Sequence, residues 1–300
     1  MAEATFTGSI PQNYDRYLGP LIMIPFGRNL ANRIPTIGVK DVLELACGTG
    51  IVTKLMRERL PSDVRLVATD LSEGMLEHAK AKSYDKPVEW KVADATKLPF
   101  KDNSFDIVVS QFGVMFFPEK AQSMQEIFRV LRPGGRVLFS VWDKIEHNDF
   151  QRICHHVVEQ MFDNDPPSFY KIPFSFYDHF EIRTVLRNAG FHDIALTTVE
   201  MKVQGDPRDA AKGMVDGNPI SDEIKNRLNT DVAEATGRVE RALASELGQR
   251  IAKGQARAIV VGARKSLDAK AESAQSTAKP QPKSQSKPKS KTGKATTKTN

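Results

Sequence analysis

Cysteine is scarce in this chain, and its scarcity excludes several classes of protein. Cys47 and Cys154 are the only two cysteines in 300 residues, and they form no Cys-x-x-Cys pair. Two cysteines cannot supply the disulfide framework of a small secreted protein, so a reducing, cytoplasmic location is expected. We predict that Cys47 fills a small buried slot instead of acting as a nucleophile, and we expect no metal site.

Long apolar runs are also missing. The first twelve residues, MAEATFTGSIPQ, lack the basic start and the apolar stretch of a signal peptide. The apolar segment LIMIPF at 21–26 is broken by Pro25 and is too short to span a bilayer. The sequence therefore predicts no membrane partner, while an apolar fraction of 40% predicts a globular core.

The body of the chain has little net charge, although the whole chain carries +6. Residues 265–300 contain nine lysines against Asp268 and Glu272, a net charge of +7, which leaves −1 for residues 1–264. This Lys-rich segment has Leu267 as its only large apolar residue, so we predict a disordered tail. The near-neutral body argues against nucleic acid as the main partner, and only weak contacts between the tail and a polyanion are expected.

Apolar segments of strand length alternate with segments of helical spacing. The predicted strands are residues 40–46, 64–70, 88–94, 105–113, 136–142, 193–203 and 256–264. The predicted helices are residues 51–60, 72–82, 120–131 and 180–191, with a polar helical stretch at about 208–250. This alternation predicts an α/β fold with a parallel sheet and helices on both faces. Residues 1–38 are predicted to be an N-terminal helical arm interrupted by prolines.

The turn after the first predicted strand is rich in glycine, within the stretch VLELACGTGIV at 42–52. Glu44 is followed by Gly48 and Gly50, and glycine leaves room where a side chain would collide with a ligand. In a parallel sheet such a turn puts backbone N–H groups at the topological switch point. A dinucleotide fingerprint would need a third glycine where Thr53 stands, which argues against a nicotinamide-dependent oxidoreductase.

This turn resembles the first motif of class I S-adenosylmethionine-dependent methyltransferases, an acid followed by x-x-x-G-x-G. Asp70 ends the second strand 20 positions after Gly50, and ADATKLPF at 93–100 ends the third. The segment FPEKAQSMQEIFRVLRPGGRVLFSVWD at 117–143 is similar to the region between strands four and five of the family. The resemblance covers residues 40–142 in detail and points to the small-molecule branch, methyltransferase type 11, which includes the quinone-biosynthesis methyltransferases.

The resemblance implies a Rossmann-like, seven-stranded, mostly parallel sheet, with strand seven antiparallel at the edge beside strand five. It also implies S-adenosyl-L-methionine as cofactor, with Asp70 accepting hydrogen bonds from both ribose hydroxyls and Asp94 contacting the adenine amine. The implied cofactor contacts are Glu44, Ala46, Gly48, Gly50, Asp70, Leu71, Met75, Asp94, Ala95, Gln111, Tyr14 and Tyr17. Met75 is equally well explained as a core residue, and the two tyrosines as surface residues.

The remaining segments of residues 1–264 are interpreted as cover for the methyl acceptor. Residues 144–179 and 204–254 are the predicted substrate-covering insertions, and the first is rich in Phe and Pro, as an apolar pocket wall would be. Residues 144–179 contain four histidines, His147, His155, His156 and His179. His147 is the candidate general base, although each of the four is also explained as structural. The acceptor atom and the oligomeric state stay undetermined.

The predicted activity is methyl transfer to a small, partly apolar molecule through oxygen, carbon or nitrogen. Two alternatives remain open. One is a nucleic-acid methyltransferase with the tail as anchor, although SQFG at 110–113 is not the signature that such enzymes carry after strand four. The other is a non-catalytic module that binds S-adenosylmethionine.

Overall fold

A computed structural model describes Phe6 and residues 8–167, 169–227 and 231–267 of the chain. Within these residues, seven strands form one sheet in the order β3-β2-β1-β4-β5-β7-β6. The strands are β1 Asp41–Glu44, β2 Arg65–Asp70, β3 Glu89–Val92, β4 Phe105–Gln111, β5 Leu131–Trp142, β6 His192–Gly205 and β7 Ala252–Arg264. Strands β1 to β5 are parallel, and β7 runs antiparallel to both β5 and β6. The predicted Rossmann-like fold is confirmed.

Helices connect the strands and cover the sheet. They are α1 Ile10–Asn13, a π-helix Tyr14–Met23, α2 Ile24–Ala31, α3 Ile51–Arg59, α4 Glu73–Lys80, α5 Lys120–Val130, α6 Asp149–Glu159, α7 His179–Asn188, α8 Pro207–Val215, α9 Ile220–Arg227 and α10 Val232–Leu247. Ser72 caps α4 by accepting a hydrogen bond from the backbone N–H of Met75 at 3.3 Å, as its position before the helix predicts. In the described part of the chain, no helix combines the length and apolar character needed to cross a membrane.

Both faces of the sheet are buried beneath helices. Val42 on β1 packs with Met56 of α3, whereas its neighbour Leu43 packs on the other face with Ile127 of α5. Side chains of successive strand residues point to opposite faces, so burial of both neighbours requires helices on both sides. This arrangement explains why the strand segments at the centre of the sheet are short apolar runs and do not alternate with polar residues.

The position of the last strand differs from the expectation. Strand β7 lies between β5 and β6, so the edge strand is β6 and not β7. Residues Ala258–Val261 of β7 are all buried, whereas β6 alternates between exposed and half-buried positions. A strand that is apolar on both faces needs a neighbour on each side, and a strand with an exposed face can form the edge.

The N-terminal arm is helical without a break from Ile10 to Ala31, although prolines were expected to interrupt it. Pro11 lies in the first turn of α1, where a missing N–H group costs no helical hydrogen bond. Pro25 lies where the π-helix passes into α2. Pro20 lies inside the π-helix. The prolines therefore change the type of helix along the arm without ending it.

Three other stretches also differ in detail from the sequence-based expectation. The single helical stretch expected at about 208–250 is three helices, α8, α9 and α10. Helix α6 lies inside residues 144–179, which were expected only to form an apolar wall. Strand β5 begins at Leu131 and includes the RPGG segment, because Leu131 pairs with Phe105 before a register shift. These differences come from pairing and packing between distant segments.

The ordered body extends past the predicted boundary at residue 264. The side chain of Lys265 is buried, and its Nζ donates to Asn103 Oδ1 at 2.9 Å and to the carbonyls of Phe128 and Leu131 at 2.8 Å each. Its backbone N–H donates to the carbonyl of Gly135 at 2.9 Å. The disordered tail was expected to begin at Lys265, and for residues 265–267 that expectation is wrong. The rest of the tail lies outside the described residues.

Truncation at two positions is expected to distinguish the contribution of residues 265–267 to stability from that of the rest of the tail. A chain ending at Leu267 should keep the free energy of unfolding of the full chain, whereas a chain ending at Arg264 should lose about 1–3 kcal/mol. The loss is expected because the buried carbonyls at the end of α5 lose the ammonium that donates to them. Urea unfolding measures both values, and Lys265→Met in the full chain tests the side chain alone. An unchanged stability of Lys265→Met would contradict the explanation.

Candidate functional site

A large cavity opens at the carboxyl ends of the parallel strands. Its volume is about 1170 Å³, and it begins where the order of the strands reverses, between β1 and β4. In open α/β sheets this switch point is where ligands bind, because the loops leaving the two strands diverge. The strand-end residues that line it are Glu44, Leu45, Ala46, Cys47, Gly48, Thr49, Thr69, Asp70, Leu71, Ser72, Ala93, Asp94, Ala95, Thr96, Gln111, Phe112 and Gly113.

Asp70 joins the two loops at the centre of this edge. Its Oδ2 accepts a hydrogen bond from the N–H of Gly48 at 2.7 Å, and its Oδ1 accepts one from the N–H of Ser72 at 2.9 Å. Burial raises the pKa of Asp70, and these backbone N–H groups act in the opposite direction. Each carboxylate oxygen keeps further acceptor capacity, so Asp70 can shape the turn and still accept hydrogen bonds from a ligand.

Glu44 lies deeper, at the end of β1. It is 1% exposed, and its Oε2 accepts a hydrogen bond from Thr53 Oγ1 at 2.5 Å. Burial raises its pKa to about 8, the hydroxyl of Thr53 lowers it, and nearby Asp70 raises it. Thr53 stands where a dinucleotide fingerprint has its third glycine. Its hydroxyl joins α3 to Glu44 at the end of β1.

Two non-glycine residues beside the cavity adopt left-handed backbone conformations. Ala46 after β1 has φ of 51°, and Phe112 after β4 has φ of 52°. Between them, a Cβ added to Gly113 would lie 2.5 Å from Cβ of Ala46 and 2.7 Å from Oγ of Ser110. The two strand ends therefore approach so closely that only glycine fits. Strained backbone of this kind concentrates at ligand sites, where the surrounding fold holds it in place.

The loops after β2 and β3 form the next part of the wall. Leu71 is 56% exposed, whereas Met75 and Ala95 are buried while still lining the cavity. Asp94 Oδ1 accepts a hydrogen bond from the N–H of Thr96 at 2.8 Å, which closes a tight turn. This wall combines apolar surface with the carboxylates of Glu73 and Asp94, a combination suited to a planar ring with polar edges.

Gln111 carries a buried acceptor without a partner. Its Nε2 donates to the carbonyl of Met23 at 2.9 Å, while its Oε1 has no hydrogen-bond partner among the described residues. Tyr14 also lines the cavity, and burial is the main reason that its pKa is raised. The arm that carries Tyr14 is held over the motif turn by Asp15, which accepts from Thr49 Oγ1 at 3.0 Å and Lys82 Nζ at 2.7 Å.

The other end of the cavity is aromatic. Phe116 and Phe169 stack with ring centroids 6.4 Å apart, and Trp142 and Phe174 stack 6.2 Å apart. The hydroxyl of Tyr170 donates to the carbonyl of Met214 at 2.9 Å. The lining residues of this aromatic end are Phe6, Met115, Phe116, Phe117, Pro118, Lys120, Trp142, Gln151, Phe169, Tyr170, Lys171, Ile172, Pro173, Phe174, Ser175, Met214 and Asn218.

All the predicted cofactor residues except Gly50 and Tyr17 line the cavity. Gly50 lies behind the turn, where it caps α3. Tyr17 points towards α8, and its ring lies between Arg16 and Lys212 at 5.3 Å and 5.6 Å. Tyr14 and Tyr17 lie three residues apart in the π-helix, whose wider turn points them in different directions. For Gly50 and Tyr17, direct contact with a cavity ligand is therefore not supported.

The candidate base His147 does not reach the cavity. Its Nδ1 lies 3.1 Å from Oδ2 of Asp143, and the imidazole is 40% exposed. Arg257 of β7 lies 3.4 Å away on the same side, so these groups hold the ring at the surface beyond the end of β5. No histidine lines the cavity in the described part of the chain. The prediction that His147 is the general base is therefore wrong for a ligand in this cavity.

Sequence reasoning missed the polar residues of the aromatic end, above all Gln151. A signal was available, because Gln151 shares one face of α6 with the buried Cys154 and Val158, at helical spacing. A polar residue on an otherwise apolar face of a helix needs a partner or a ligand. Asn218, which donates to the carbonyls of Gly213 and Met214 at 3.1 Å each, follows α8 and had no comparable signal.

Comparison with known proteins agrees with the resemblance of the motif turn to that of methyltransferases. Residues 43–139 match the family model described as Methyltransferase domain. The demethylmenaquinone methyltransferase of Lactiplantibacillus plantarum is 41% identical over 138 residues, which are 43% of this chain and 58% of that protein. The ubiquinone/menaquinone biosynthesis C-methyltransferase UbiE of Dinoroseobacter shibae is 31% identical over 167 residues, 51% of this chain and 66% of that protein.

The similarity to these relatives is partial in length. The chain spans between 36% and 66% of the curated relatives that it matches. The structure of phosphoethanolamine N-methyltransferase 2 from Haemonchus contortus, solved with S-adenosyl-L-methionine, has a TM-score of 0.55 and 17% identity, and the match covers 87% of this chain and 58% of that one. At this identity the structural likeness shows the fold alone. Residues 43–139 thus match the model of a methyltransferase domain and carry the motif turn, within a fold that is also seen in a solved methyltransferase.

Proposed function

We propose that this protein transfers the methyl group of S-adenosyl-L-methionine to a small, partly apolar acceptor. The observation that carries the proposal is one continuous cavity with two chemically different ends. The end at the strand loops is rich in acceptors and backbone N–H groups, and the other end is aromatic. Its volume of about 1170 Å³ exceeds the range usual for a single small ligand, about 300–1000 Å³. Two ligands therefore fit side by side.

The residues at the loop end fit the cofactor. Its ribose presents two hydroxyl donors, and Asp70 offers carboxylate oxygens that can accept them. Gly48 has φ of 54°, and an added Cβ would meet nothing within 4 Å. That side of the turn therefore faces open space, which a nucleoside can occupy only while no side chain projects into it. Asp94 supplies a further acceptor for an amino group.

In this proposal the chain orients the ligands and excludes water, and the cofactor supplies the reactive group. The cofactor carries a sulfonium whose methyl is electrophilic. Asp70, Gly48 and Asp94 bind and orient the nucleoside, while Tyr14 and the rest of the arm exclude water from above. No histidine lines the cavity among the described residues, so the proposed reaction has no histidine as the general base for the acceptor. Alignment of the two ligands supplies the rate enhancement in this proposal.

The acceptor end sets the proposed substrate class. Curated relatives are named for quinone and demethylmenaquinone methylation, and an aromatic wall suits planar, apolar molecules of that kind. The lining residues come from both segments interpreted as substrate cover. Phe169 and Phe174 belong to residues 144–179, and Met214 and Asn218 belong to residues 204–254. We propose that these two segments determine the acceptor, whether it reacts through oxygen, carbon or nitrogen.

Two titrations and one assay test this function. S-adenosylhomocysteine is expected to bind the full chain, and NAD is expected not to bind. Transfer of labelled methyl from S-adenosylmethionine to a panel of phenols, naphthols and amines should then identify an acceptor. Binding without transfer to any small molecule or nucleic acid would favour a non-catalytic module, and tight binding of NAD alone would contradict the proposal.

Phe174 and Phe176 form a matched pair for the acceptor end. Phe174 lines the cavity, whereas Phe176 is buried outside it, with Lys120 Nζ 5.4 Å from its ring centroid. Phe174→Leu is expected to change kcat/KM for the identified acceptor by about tenfold, because the stacked wall is altered, and to leave the S-adenosylhomocysteine affinity intact. Phe176→Leu should leave both nearly unchanged. Loss of cofactor affinity in Phe174→Leu, with acceptor kinetics intact, would contradict this assignment.

A further inference from the structure

Gln151 is a buried amide at the aromatic end of the cavity. It is 5% exposed, and its Oε1 has no hydrogen-bond partner among the described residues. Removing an amide from water without a partner is unfavourable, and buried polar side chains in folded proteins are therefore paired in most cases. Because Gln151 also lines the cavity, a ligand there can complete the hydrogen bonds of its amide.

The helix that carries Gln151 is held rigidly. Asn148, just before α6, donates from Nδ2 to the carbonyl of Lys144 at 2.9 Å and accepts at Oδ1 from the N–H of Arg257 at 2.9 Å. Asp149 Oδ2 accepts from the N–H of Gln255 at 2.7 Å. Both anchors join the first turn of α6 to strand β7. The Gln151 backbone is therefore fixed relative to the sheet, as a recognition residue requires.

Most other polar groups at this end donate to backbone carbonyls of the protein, and Lys171 also lines the cavity. Tyr170 donates its hydroxyl proton to the carbonyl of Met214, and Asn218 uses its Nδ2 on the carbonyls of Gly213 and Met214. The remaining wall includes the rings of Trp142 and Phe174, which stack on each other and supply apolar surface. Gln151 is thus a polar contact within a largely aromatic surface.

We propose that Gln151 recognises a hydroxyl group on a planar, otherwise apolar methyl acceptor. This inference rests on the proposed function and adds the residue that selects the acceptor. A hydroxyl both donates and accepts, so it satisfies the amide of Gln151 whichever of Oε1 and Nε2 faces the cavity. A site built to bind a hydroxyl discriminates strongly against a ligand that lacks it, because the buried polar group is then left unpaired.

A pair of ligands that differ in one group tests the proposal. The probes are 2-naphthol and 2-methylnaphthalene, titrated into the full-length protein saturated with S-adenosylhomocysteine. An aromatic pocket without a polar partner should prefer the more apolar 2-methylnaphthalene. The unaltered protein is instead expected to bind 2-naphthol about tenfold more tightly or better. Gln151→Leu should abolish or reverse this preference while the affinity for S-adenosylhomocysteine stays unchanged.

The melting temperature is a second measurement, for which a purely structural role of Gln151 predicts the opposite result. Gln151→Leu should keep or raise Tm, because the replacement removes a buried amide without a partner, whereas loss of a structural hydrogen bond would lower Tm. Gln160→Leu is the matched control, since Gln160 is an exposed residue at the end of the same helix and lies outside the cavity. That variant should keep the preference for 2-naphthol.

The outcomes separate this inference from the proposed function. A Gln151→Leu variant that keeps the preference for 2-naphthol overturns the role of Gln151. Failure of the unaltered protein to bind 2-naphthol, or a preference for 2-methylnaphthalene, also overturns it. Failure to bind S-adenosylhomocysteine overturns the proposed function instead, and the two naphthalene ligands titrated without it still report on Gln151.

Discussion

Asp70→Ala is expected to weaken S-adenosylhomocysteine binding by about 2–4 kcal/mol, on the order of 30- to 1000-fold. The reason is that two ribose hydroxyls lose a charged acceptor, and each such hydrogen bond contributes roughly 1.5–3 kcal/mol. Asp70→Asn should have a smaller effect, because the amide keeps one acceptor oxygen but presents donors to hydroxyls that also donate. Calorimetric titration of the folded variants measures the dissociation constants.

Asp70, the last residue of strand β2, also stabilises the ligand-free protein. Its carboxylate accepts from the backbone N–H groups of Gly48 and Ser72 at 2.7 Å and 2.9 Å. Asp70→Ala should therefore lower the free energy of unfolding by about 1–3 kcal/mol as well.

Asp178 provides a matched control for this second effect. Its Oδ1 accepts from the N–H groups of Phe180 and Glu181 at 2.7 Å and 2.9 Å, and it does not line the cavity. Asp178→Ala should lower stability by a comparable amount and leave the S-adenosylhomocysteine affinity unchanged. An unchanged dissociation constant in Asp70→Ala, measured on folded protein, would remove Asp70 from the binding site.

The stability of the ligand-free protein is expected to fall as pH rises, and Glu44 is the main cause. Burial raises the pKa of Glu44 from 4.5 to about 8. Below about pH 4.5 the carboxyl is protonated in both the folded and the unfolded chain, and its full contribution to stability is present. Between these two pKa values only the folded chain holds the proton, so stability falls by up to about 1.4 kcal/mol per pH unit. Above about pH 8 the loss is complete.

Glu44→Gln should remove this dependence while keeping the acceptor for Thr53 Oγ1. Relative to the unaltered protein, the variant should gain on the order of 4 kcal/mol of stability between about pH 5 and about pH 8.5. Urea unfolding at both pH values measures the difference. Glu126→Gln is the control: Arg129 holds the pKa of Glu126 below its ordinary value, so its titration lies below this window. Equal pH dependence in Glu44→Gln and the unaltered protein would refute the role of Glu44.

The sequence by itself determined the order of the elements and the position of the motif turn. Strands β1 to β5 and the helices between them follow from local apolar spacing, which depends only on neighbouring residues. The acid and glycines at 44–50 and the aspartate at 70 could be recognised because their roles depend on a short spacing along the chain. The cap at Ser72 is predictable for the same reason.

Only the tertiary structure decided which residues meet at the cavity. The edge strand, the direction of Tyr17 and the burial of Lys265 depend on contacts between segments far apart in the chain, which local periodicity does not encode. His147 has the chemistry of a base, but Asp143 and Arg257 hold it outside the cavity. Helical spacing puts Gln151 on an apolar face of α6, but only the packing of that helix places its amide in the lining of a cavity with an aromatic wall.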